Sequence, residues 1–303
     1  MFSIRNVPNS NPLLEYFHLS SEKVSCKIYP NLGASLQQFS IGQTKIIQGI
    51  EPLESDLPYF RRYYPASFLF PFPGRIAGGR YEYEGKAYQL PINEKDKGNA
   101  IHGFLAEASF ELIQQELNND SATLTFQYSY QGNEKGFPFP ADIHIIYEIS
   151  ETTVNITLKV TNTGENTFPF GLGWHPYFLA ENLAESELKF QSYLQIVNND
   201  NQIPIDTEPI QFKSLIGDQT LDDTYLLSNS NILFSTQAYE MRMDTFPTQE
   251  NFLQLYIPPD RKSIAIEPMT CVPDVFNYKK GLLELSPNES YHWNIQLSFQ
   301  IFE

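Results

Sequence analysis

Two of the five histidines lie in segments whose composition suits a functional loop. His102 lies in the glycine-flanked stretch 98–104, and His175 precedes Pro176 in the stretch 171–178. Glycine lets the backbone approach a ligand closely, and proline favours an extended conformation for the residue before it. Because an imidazole titrates near neutral pH, either histidine suits general acid or base catalysis, although a structural role is the commoner one for a single histidine.

Among the acidic residues, Glu267 has the most distinctive surroundings. In the segment 263–268 (Ser-Ile-Ala-Ile-Glu-Pro), alternation puts the two isoleucines on one face of a strand and Glu267, with a serine and an alanine, on the other. The small neighbours leave space for a ligand beside the carboxylate, and Pro268 is expected to end the strand. The competing interpretation is a solvated carboxylate at the edge of a sheet.

The elements that must position these residues show a period of two. Apolar and polar residues alternate in 121–130, 153–161 and 293–301, and 81–90 forms a hairpin pattern around Gly85. Helical periodicity is scarce, and 182–190 is its best candidate. Aromatic residues make up 14% of the chain, and 21 prolines interrupt it, which favours sheets over helices. The sequence therefore predicts an all-β fold, a large antiparallel β-sandwich with few short helices.

No composition shift, glycine/serine linker, charge run or repeat marks a boundary, so we expect one domain over residues 1–303. Aromatic–proline clusters recur at 70–73, 137–140 and 168–170. They are interpreted either as rigid loops that wall a cleft or as ordinary loop packing.

The net charge of −16, from 20 Lys and Arg against 36 Asp and Glu, disfavours nucleic acid and anionic membranes as partners. A phosphorylated substrate would need a local basic patch, and no Lys/Arg cluster lies near the motifs. No apolar run is long enough to span a membrane, and no signal peptide is evident. Cys26 and Cys271 form neither a disulfide framework nor a metal cluster. We expect a soluble, cytoplasmic protein.

Several common catalytic motifs are absent. Gly74 to Gly79 has the spacing of a phosphate-binding loop, but Arg80-Tyr81 follows where Lys-Ser/Thr is required. The Gly-x-Ser-x-Gly elbow, the His-Glu-x-x-His pattern and the dinucleotide-binding glycines are missing as well. These absences disfavour serine hydrolysis, zinc-dependent proteolysis and hydride transfer.

The ordered set of motifs resembles the aldose 1-epimerase (galactose mutarotase) family from about residue 20 to the C-terminus. Each motif alone is weak, but their order and spacing are specific. The family's large antiparallel β-sandwich agrees with the strand pattern. The motifs are Gly74-Arg75-Ile76, Ile101-His102-Gly103, His175-Pro176-Tyr177-Phe178, Glu267-Pro268 and Pro273-Asp274-Val275-Phe276-Asn277.

The resemblance implies mutarotation, the interconversion of the α and β anomers of a sugar. One group removes the proton of the anomeric hydroxyl while another protonates the ring oxygen; the ring opens, C1–C2 rotates and the ring recloses. Glu267 matches the family's catalytic base and His175 its acid, and neither a metal nor an organic cofactor is needed. An ionised Glu267 beside a protonated His175 is expected near pH 6–7.

The resemblance also implies a substrate-binding set for a small-molecule sugar, an aldohexose. His102 matches the second histidine of the site, and Arg75 matches an arginine that hydrogen-bonds sugar hydroxyls. Asp222 matches the substrate-binding aspartate, with Asp223 as the alternative. Apart from the resemblance, Trp174, Tyr177 and Phe104 are expected to stack on the apolar face of the sugar, with ordinary packing as the favoured alternative for Phe104 and Tyr177.

The chain departs from the family pattern at two places. Pro73-Gly74 replaces the Ala-Asn that precedes the arginine in many members, so one polar substrate contact is expected to be missing. His-Pro-Tyr-Phe and Glu-Pro-Met-Thr replace the His-Ser-Tyr-Phe and Glu-Thr-Gln forms of well-characterised galactose mutarotases. The differences indicate a divergent bacterial-type branch. They leave the sugar, the pathway and the oligomeric state open.

Three other functions remain as alternatives. A sister group that this branch resembles acts on hexose 6-phosphates, but the acidity and the absence of a basic cluster disfavour that substrate. A non-catalytic carbohydrate-binding protein on the same fold would be expected to lose the acid or the base. A glycoside hydrolase would pair Glu267 with Asp222 or Asp274, and would leave His102 and His175 unexplained.

Overall fold

The computed structural model describes residues 1–247 and 250–302, which are mostly antiparallel β-strands. In chain order the strands are β1 (Ser3–Val7), β2 (Tyr16–Ser20), β3 (Val24–Tyr29), β4 (Ser35–Ile41), β5 (Thr44–Gln48), β6 (Phe68–Leu69), β7 (Arg75–Ile76), β8 (Arg80–Tyr83), β9 (Lys86–Gln89), β10 (Ala100–Ile101), β11 (Glu111–Leu117), β12 (Ser121–Tyr130), β13 (Ala141–Ser150), β14 (Thr153–Asn162), β15 (Phe168–Phe170), β16 (Gly173–Trp174), β17 (Tyr177–Leu179), β18 (Glu187–Asn198), β19 (Pro204–Pro209), β20 (Asp222–Ser235), β21 (Tyr239–Phe246), β22 (Asn251–Tyr256), β23 (Ser263–Met269), β24 (Leu283–Leu285) and β25 (Ser290–Ile301).

The helices among the described residues are few and short, as the sequence predicts. Two are α-helical, α1 (Leu57–Tyr63) and α2 (Val275–Tyr278). The others are single 3₁₀ turns at Pro12–Leu14, Glu54–Asp56, Ala77–Gly79, Leu105–Glu107 and Leu183–Glu185. Within the described part of the chain, none has the length and apolar character needed to cross a membrane.

The long strand β20 joins two runs of antiparallel strands into one curved sheet. Its residues 222–227 pair with β22, which continues through β23, β17, β5, β4, β3 and β2 to β1. Its residues 231–235 pair with β21, which continues through β25, β14, β13 and β12 to β11. The two runs form the layers of the predicted antiparallel sandwich, which is confirmed.

The core lies between these layers and follows the predicted alternation. In β12 and β14, for example, Leu124, Phe126, Ile156 and Leu158 are buried while their neighbours are partly exposed. Tyr147 of β13 donates its hydroxyl hydrogen to the carbonyl of Ala34, beside β4 in the other layer, at 2.7 Å. Burial of apolar surface, worth about 25 cal/mol per Å², is the main force that holds the layers together.

The predicted helix at 182–190 is wrong. Only Leu183–Glu185 forms a 3₁₀ turn, and Glu187 then begins β18, which pairs with β20. Leu188 is fully buried whereas Lys189 is exposed, so the segment alternates as a strand does. Long-range pairing overrides the weak local helical preference.

Pro268 does not end its strand either, because β23 continues to Met269 and Pro268 lies opposite Leu253 of β22. Ile266 donates its N–H to the carbonyl of Pro176, on the side away from β22. Residues two apart in a strand direct their N–H groups to the same side. The N–H that Pro268 lacks would therefore point away from β22. For this reason the proline removes no backbone hydrogen bond between β22 and β23.

The aromatic–proline clusters pack together inside the protein. Phe70 contacts Phe137, Phe168 and Phe170, with ring centroids 5.7, 6.4 and 6.2 Å away. All four side chains are fully buried, so ordinary packing is the correct interpretation. Cys26 and Cys271 are both free and buried.

Candidate active site

A cavity of about 540 Å³ opens beside the β22–β23 pair, a size typical of small-molecule sites. Glu267 and His175 lie at its base and are only 2% and 6% exposed. The cavity is lined by Arg61, Arg62, Tyr63, Tyr64, Gly74, Arg75, Asn93, Glu94, Lys95, Asp96, Lys97, Ile101, His102, His175, Tyr177, Asp222, Gln254, Tyr256, Glu267, Met269 and Pro273.

Strand register places Glu267 in this cavity. Glu267 lies opposite Gln254 of β22, which lies opposite Thr224 of β20. Residues directly opposite one another share a face of the sheet, and Ala265, two positions earlier, shares it as well. The alternation at 263–267 predicts this face. The solvated-edge interpretation of Glu267 is wrong, because β22 and β17 flank β23 on both sides.

His175 is held between β16 and β17 by its own backbone. Its N–H donates to the carbonyl of Ser67 at 3.0 Å, and its carbonyl accepts from the N–H of Ala66 at 2.8 Å. The ring stacks on Tyr177, with centroids 5.1 Å apart. Its Nε2 then lies 3.3 Å from Oε1 of Glu267. The structure thus brings the predicted acid and base together.

Burial controls the protonation of this pair. Burial, with the nearby charge of Asp222, raises the pKa of Glu267 well above its usual value, and Arg75 opposes the effect only in part. Burial lowers the pKa of His175 to about 3. Nδ1 of His175 is also buried without a hydrogen-bond partner, so no acceptor there offsets the cost of burying the ring.

Burial therefore favours a neutral carboxyl beside a neutral imidazole. The sequence predicts the opposite arrangement, an ionised Glu267 beside a protonated His175, from the ordinary pKa values. The two arrangements hold the same single proton. Its transfer from Oε1 of Glu267 to Nε2 of His175, across 3.3 Å, interconverts them.

Buried Glu267 makes the stability of the fold depend on pH. The pKa of its carboxyl is higher in the folded protein than the value of about 4.3 in an unfolded chain. Between about pH 4.3 and the folded pKa, the folded protein therefore binds more protons than the unfolded protein does. Stability is lost over that range. We expect Glu267→Gln to raise Tm at pH 8 more than at pH 4, measured by circular dichroism. Exposed Glu111→Gln is the control, and equal shifts at both pH values would contradict the account.

His102 is presented to the cavity as a hydrogen-bond donor. Its backbone N–H donates to the carbonyl of Gly74 at 2.8 Å, and the N–H of Gly74 donates to its Nδ1 at 3.2 Å. Burial, His175 and Arg75 all lower its pKa well below the usual value. In the neutral ring Nδ1 accepts, so the proton lies on Nε2. Gly103 fixes the turn, because a Cβ there would lie 2.0 Å from the carbonyl oxygen of Phe70.

Arg75 borders the cavity in a two-pronged ion pair. Its Nε lies 2.9 Å from Oε2 of Glu94, and its Nη2 lies 2.8 Å from Oε1. Asn99 donates to Oε2 of the same carboxylate at 3.1 Å. Sequence reasoning missed Glu94, because it lies in a loop with neither periodicity nor a motif.

The structure places Asp222, and not Asp223, in the cavity. Oδ1 of Asp222 accepts a hydrogen bond from Nε2 of Gln254 at 3.0 Å. Asp223 points to the other side of β20, where its Oδ1 accepts from Nε2 of Gln195 at 2.8 Å. Sequence reasoning missed Gln254, because only the pairing of β20, β22 and β23 shows that it lies between Asp222 and Glu267.

The prediction that Trp174 contacts a ligand is wrong. Its side chain is fully buried, does not line the cavity, and donates its indole N–H to the carbonyl of Ala66 at 3.2 Å. The ring packs nearly parallel to Phe68 in the core. Adjacent residues of an extended chain point in opposite directions, so His175 and Trp174 cannot both face the cavity. Tyr177 does border the cavity, together with Tyr64 and Tyr256, whereas Phe104 does not line it.

The expectation that no basic cluster lies near the motifs is also wrong, because the folded protein brings distant basic residues close to them. Arg61 and Arg62 of α1, and Lys95 and Lys97 of the loop after β9, line the same cavity as Glu267. These residues are distant from the motifs along the chain. Within the described ranges, no group of three or more His, Cys, Asp and Glu side chains is arranged to hold a metal ion.

The fold and the site together define a β-sandwich protein with a carboxyl and an imidazole at the base of a small-molecule cavity. The model of the aldose 1-epimerase family matches residues 16–298. The chain therefore belongs to the aldose 1-epimerase family.

Its relatives are distant. The uncharacterised protein YihR of Escherichia coli K12 is 28% identical over 287 residues, which cover 89% of this chain and 88% of YihR. Rat galactose mutarotase is 26% identical over 57% of this chain and 49% of its own length. Among solved structures, a galactose mutarotase-like protein of Clostridium acetobutylicum superposes with a TM-score of 0.87 at 16% identity, covering 99% of both chains. Galactose 1-epimerase of Lactobacillus acidophilus gives 0.81 at 17% identity, covering 100% of this chain and 99% of its own.

Proposed function

We propose that this protein is an aldose 1-epimerase that interconverts the α and β anomers of a hexose. The observation that carries the proposal is the 3.3 Å contact between Nε2 of His175 and Oε1 of Glu267 at the base of the cavity. A contact of this length lets the two groups exchange one proton, and both face the space that a sugar would fill.

The reaction begins when the shared proton lies on His175. Glu267 then takes the proton of the anomeric hydroxyl, and His175 gives its proton to the ring oxygen, so the C1–O5 bond breaks and an open-chain aldehyde forms. After rotation about C1–C2, the ring oxygen attacks the other face of the aldehyde while both proton transfers reverse. A positioned acid or base contributes about 10²–10⁴-fold to such a step.

The neighbouring side chains orient the sugar. His102 offers an N–H donor, the guanidinium of Arg75 offers the hydrogens that Glu94 leaves unused, and Asp222 accepts from sugar hydroxyls. A carbohydrate-binding protein without catalysis would gain nothing from the buried Glu267, because burying an ionisable carboxyl costs free energy. The buried pair therefore supports an enzyme.

Polarimetry of freshly dissolved α-D-glucose and α-D-galactose tests the proposal. We expect the wild-type protein to accelerate the approach to anomeric equilibrium well beyond the spontaneous rate in weak buffer. Heat-denatured protein at the same concentration is the control. A rate equal to the spontaneous one for both sugars, and also for glucose 6-phosphate, glucose 6-sulfate and glucuronate, would contradict the proposed function.

The two adjacent aspartates give a matched pair of variants. Asp222→Asn should raise KM about tenfold to a hundredfold, because a hydrogen bond to a charged group is worth about 1.5–3 kcal/mol. Asp223→Asn should leave KM within about twofold, because Asp223 faces away from the cavity. Steady-state polarimetry measures both values. Equal effects of the two variants would contradict the assignment of Asp222.

A further inference from the structure

Basic side chains are concentrated around one cavity of a strongly acidic protein. The chain has 20 Lys and Arg against 36 Asp and Glu. Even so, five of those basic residues line the cavity that holds Glu267. They are Arg61, Arg62, Arg75, Lys95 and Lys97.

Two of the five are already neutralised by carboxylates. Arg75 pairs with Glu94, and Arg61 binds Glu107 through two contacts of 2.8 Å. The other three make no ion pair with any carboxylate in the described part of the chain. These three, Arg62, Lys95 and Lys97, are called the basic rim below.

The basic rim lies at the mouth of the cavity. Arg62 and Lys95 are exposed and Lys97 is half-buried, whereas Glu267 is 2% exposed. A sugar whose anomeric carbon reaches Glu267 therefore directs its far end towards the rim. Lys97 is close enough to Asp222 for its charge to oppose the effect of burial on the pKa of that carboxyl.

The charges of the cavity do not cancel at the rim. Glu94 is neutralised by Arg75, and burial favours the protonated form of Glu267. Asp96 and Asp222 remain against the three cations of the rim. With a net charge of −16 the protein as a whole repels anions, so a local excess of positive charge is what an anionic ligand would need to bind.

We propose that the substrate is an aldose that carries an anionic group on the carbon farthest from the anomeric centre, and that Arg62, Lys95 and Lys97 bind this group. Phosphate, sulfate and carboxylate share the required chemistry. The inference rests on the proposed epimerase function and specifies the substrate class of the same cavity.

The test compares kcat/KM for anomer interconversion of glucose, glucose 6-phosphate, glucose 6-sulfate and glucuronate, measured by NMR exchange between the anomeric protons. We expect at least one charged aldose to exceed glucose by tenfold or more, and its KM to rise with ionic strength, because salt screens exposed charges. Preference for the phosphate over the sulfate would indicate recognition of the second charge, and preference for glucuronate would indicate a carboxylate.

Variants of the rim separate charge recognition from structure. Lys95→Gln/Lys97→Gln should lower kcat/KM for the preferred charged aldose about tenfold more than for glucose. Lys45→Gln, an exposed lysine of β5 outside the cavity, is the matched control and should change neither. Arg62→Gln should act in the same direction as the double variant.

The outcomes distinguish the inference from the function on which it rests. Two results would overturn the anionic substrate but not the proposed epimerase function. One is turnover of glucose or galactose with no preference for a charged aldose, and the other is an equal loss of kcat/KM for neutral and charged sugars in the rim variants. Absence of turnover with every sugar would overturn the function. Calorimetric titration with glucose 6-phosphate, glucose 6-sulfate and glucuronate then tests the rim separately. Binding of one of them that Lys95→Gln/Lys97→Gln abolishes would support the rim, and absence of binding with all three would overturn it.

Discussion

Replacement of Glu267 by glutamine is expected to lower kcat for anomer interconversion by about 10²–10⁴-fold with little change in KM. Glutamine has nearly the same size and keeps a polar group at the base of the cavity, but it cannot accept the proton of the anomeric hydroxyl. The variant removes an interaction made only during proton transfer, so the effect belongs to kcat. Stopped-flow polarimetry of wild type and variant measures it.

The control for this variant is Glu111→Gln, at an exposed position of β11 outside the cavity. It should retain wild-type kcat and KM. The stability of Glu267→Gln should be equal to or greater than that of the wild type at neutral pH, so a loss of activity cannot be ascribed to unfolding. A Glu267→Gln protein with more than a tenth of the wild-type kcat would contradict the role of this carboxyl.

Replacement of His175 by glutamine is expected to lower kcat to a similar extent. Nε2 of His175 is the atom that lies 3.3 Å from Oε1 of Glu267, and a glutamine amide cannot carry a proton to the ring oxygen. His292→Gln, at an exposed position of β25, is the matched control and should be fully active. An active His175→Gln enzyme would show that another group protonates the ring oxygen.

The double variant Glu267→Gln/His175→Gln tests whether the two residues act as one unit. Groups that work only together give strongly non-additive losses. We therefore expect the double variant to be about as impaired as the poorer single variant. Losses that multiply would show two independent contributions instead of one shared proton.

Strand alternation explains what the sequence predicts correctly at the site. The period-two pattern at 263–267 assigns Glu267 to the face of Ala265, and it does so without knowledge of the neighbouring strands. Burial of that face could not be predicted, because it depends on β17 and β22, which pair with β23 across long separations in sequence.

The same alternation limits what can be predicted at neighbouring positions. Asp222 and Asp223 point to opposite faces of β20, so the sequence leaves both open until the register with β22 is known. Trp174 and His175 are also adjacent, and only one of them can face a cavity. Aromatic character alone therefore gave Trp174 a role in ligand binding that its position rules out.

Loop residues were the hardest to predict because no periodicity governs them. Glu94 is placed by its contacts with Arg75 and Asn99, and neither contact leaves a pattern in the sequence. Lys95 and Lys97 come next in the chain and line the same cavity as Arg62 of α1. Proximity to the motifs along the chain therefore does not reveal this basic cluster, which exists only in the folded protein.

The most direct test of the proposed chemistry is magnetisation exchange between the α and β anomeric protons at equilibrium, recorded by NMR with glucose, galactose, glucose 6-phosphate, glucose 6-sulfate and glucuronate. At equilibrium no net reaction occurs, so exchange reports only interconversion of the two anomers. The account predicts enzyme-dependent exchange with at least one of these sugars in the wild type, and its loss in Glu267→Gln. Exchange that persists at the wild-type rate in Glu267→Gln, or that is absent with all five sugars in the wild type, would contradict it.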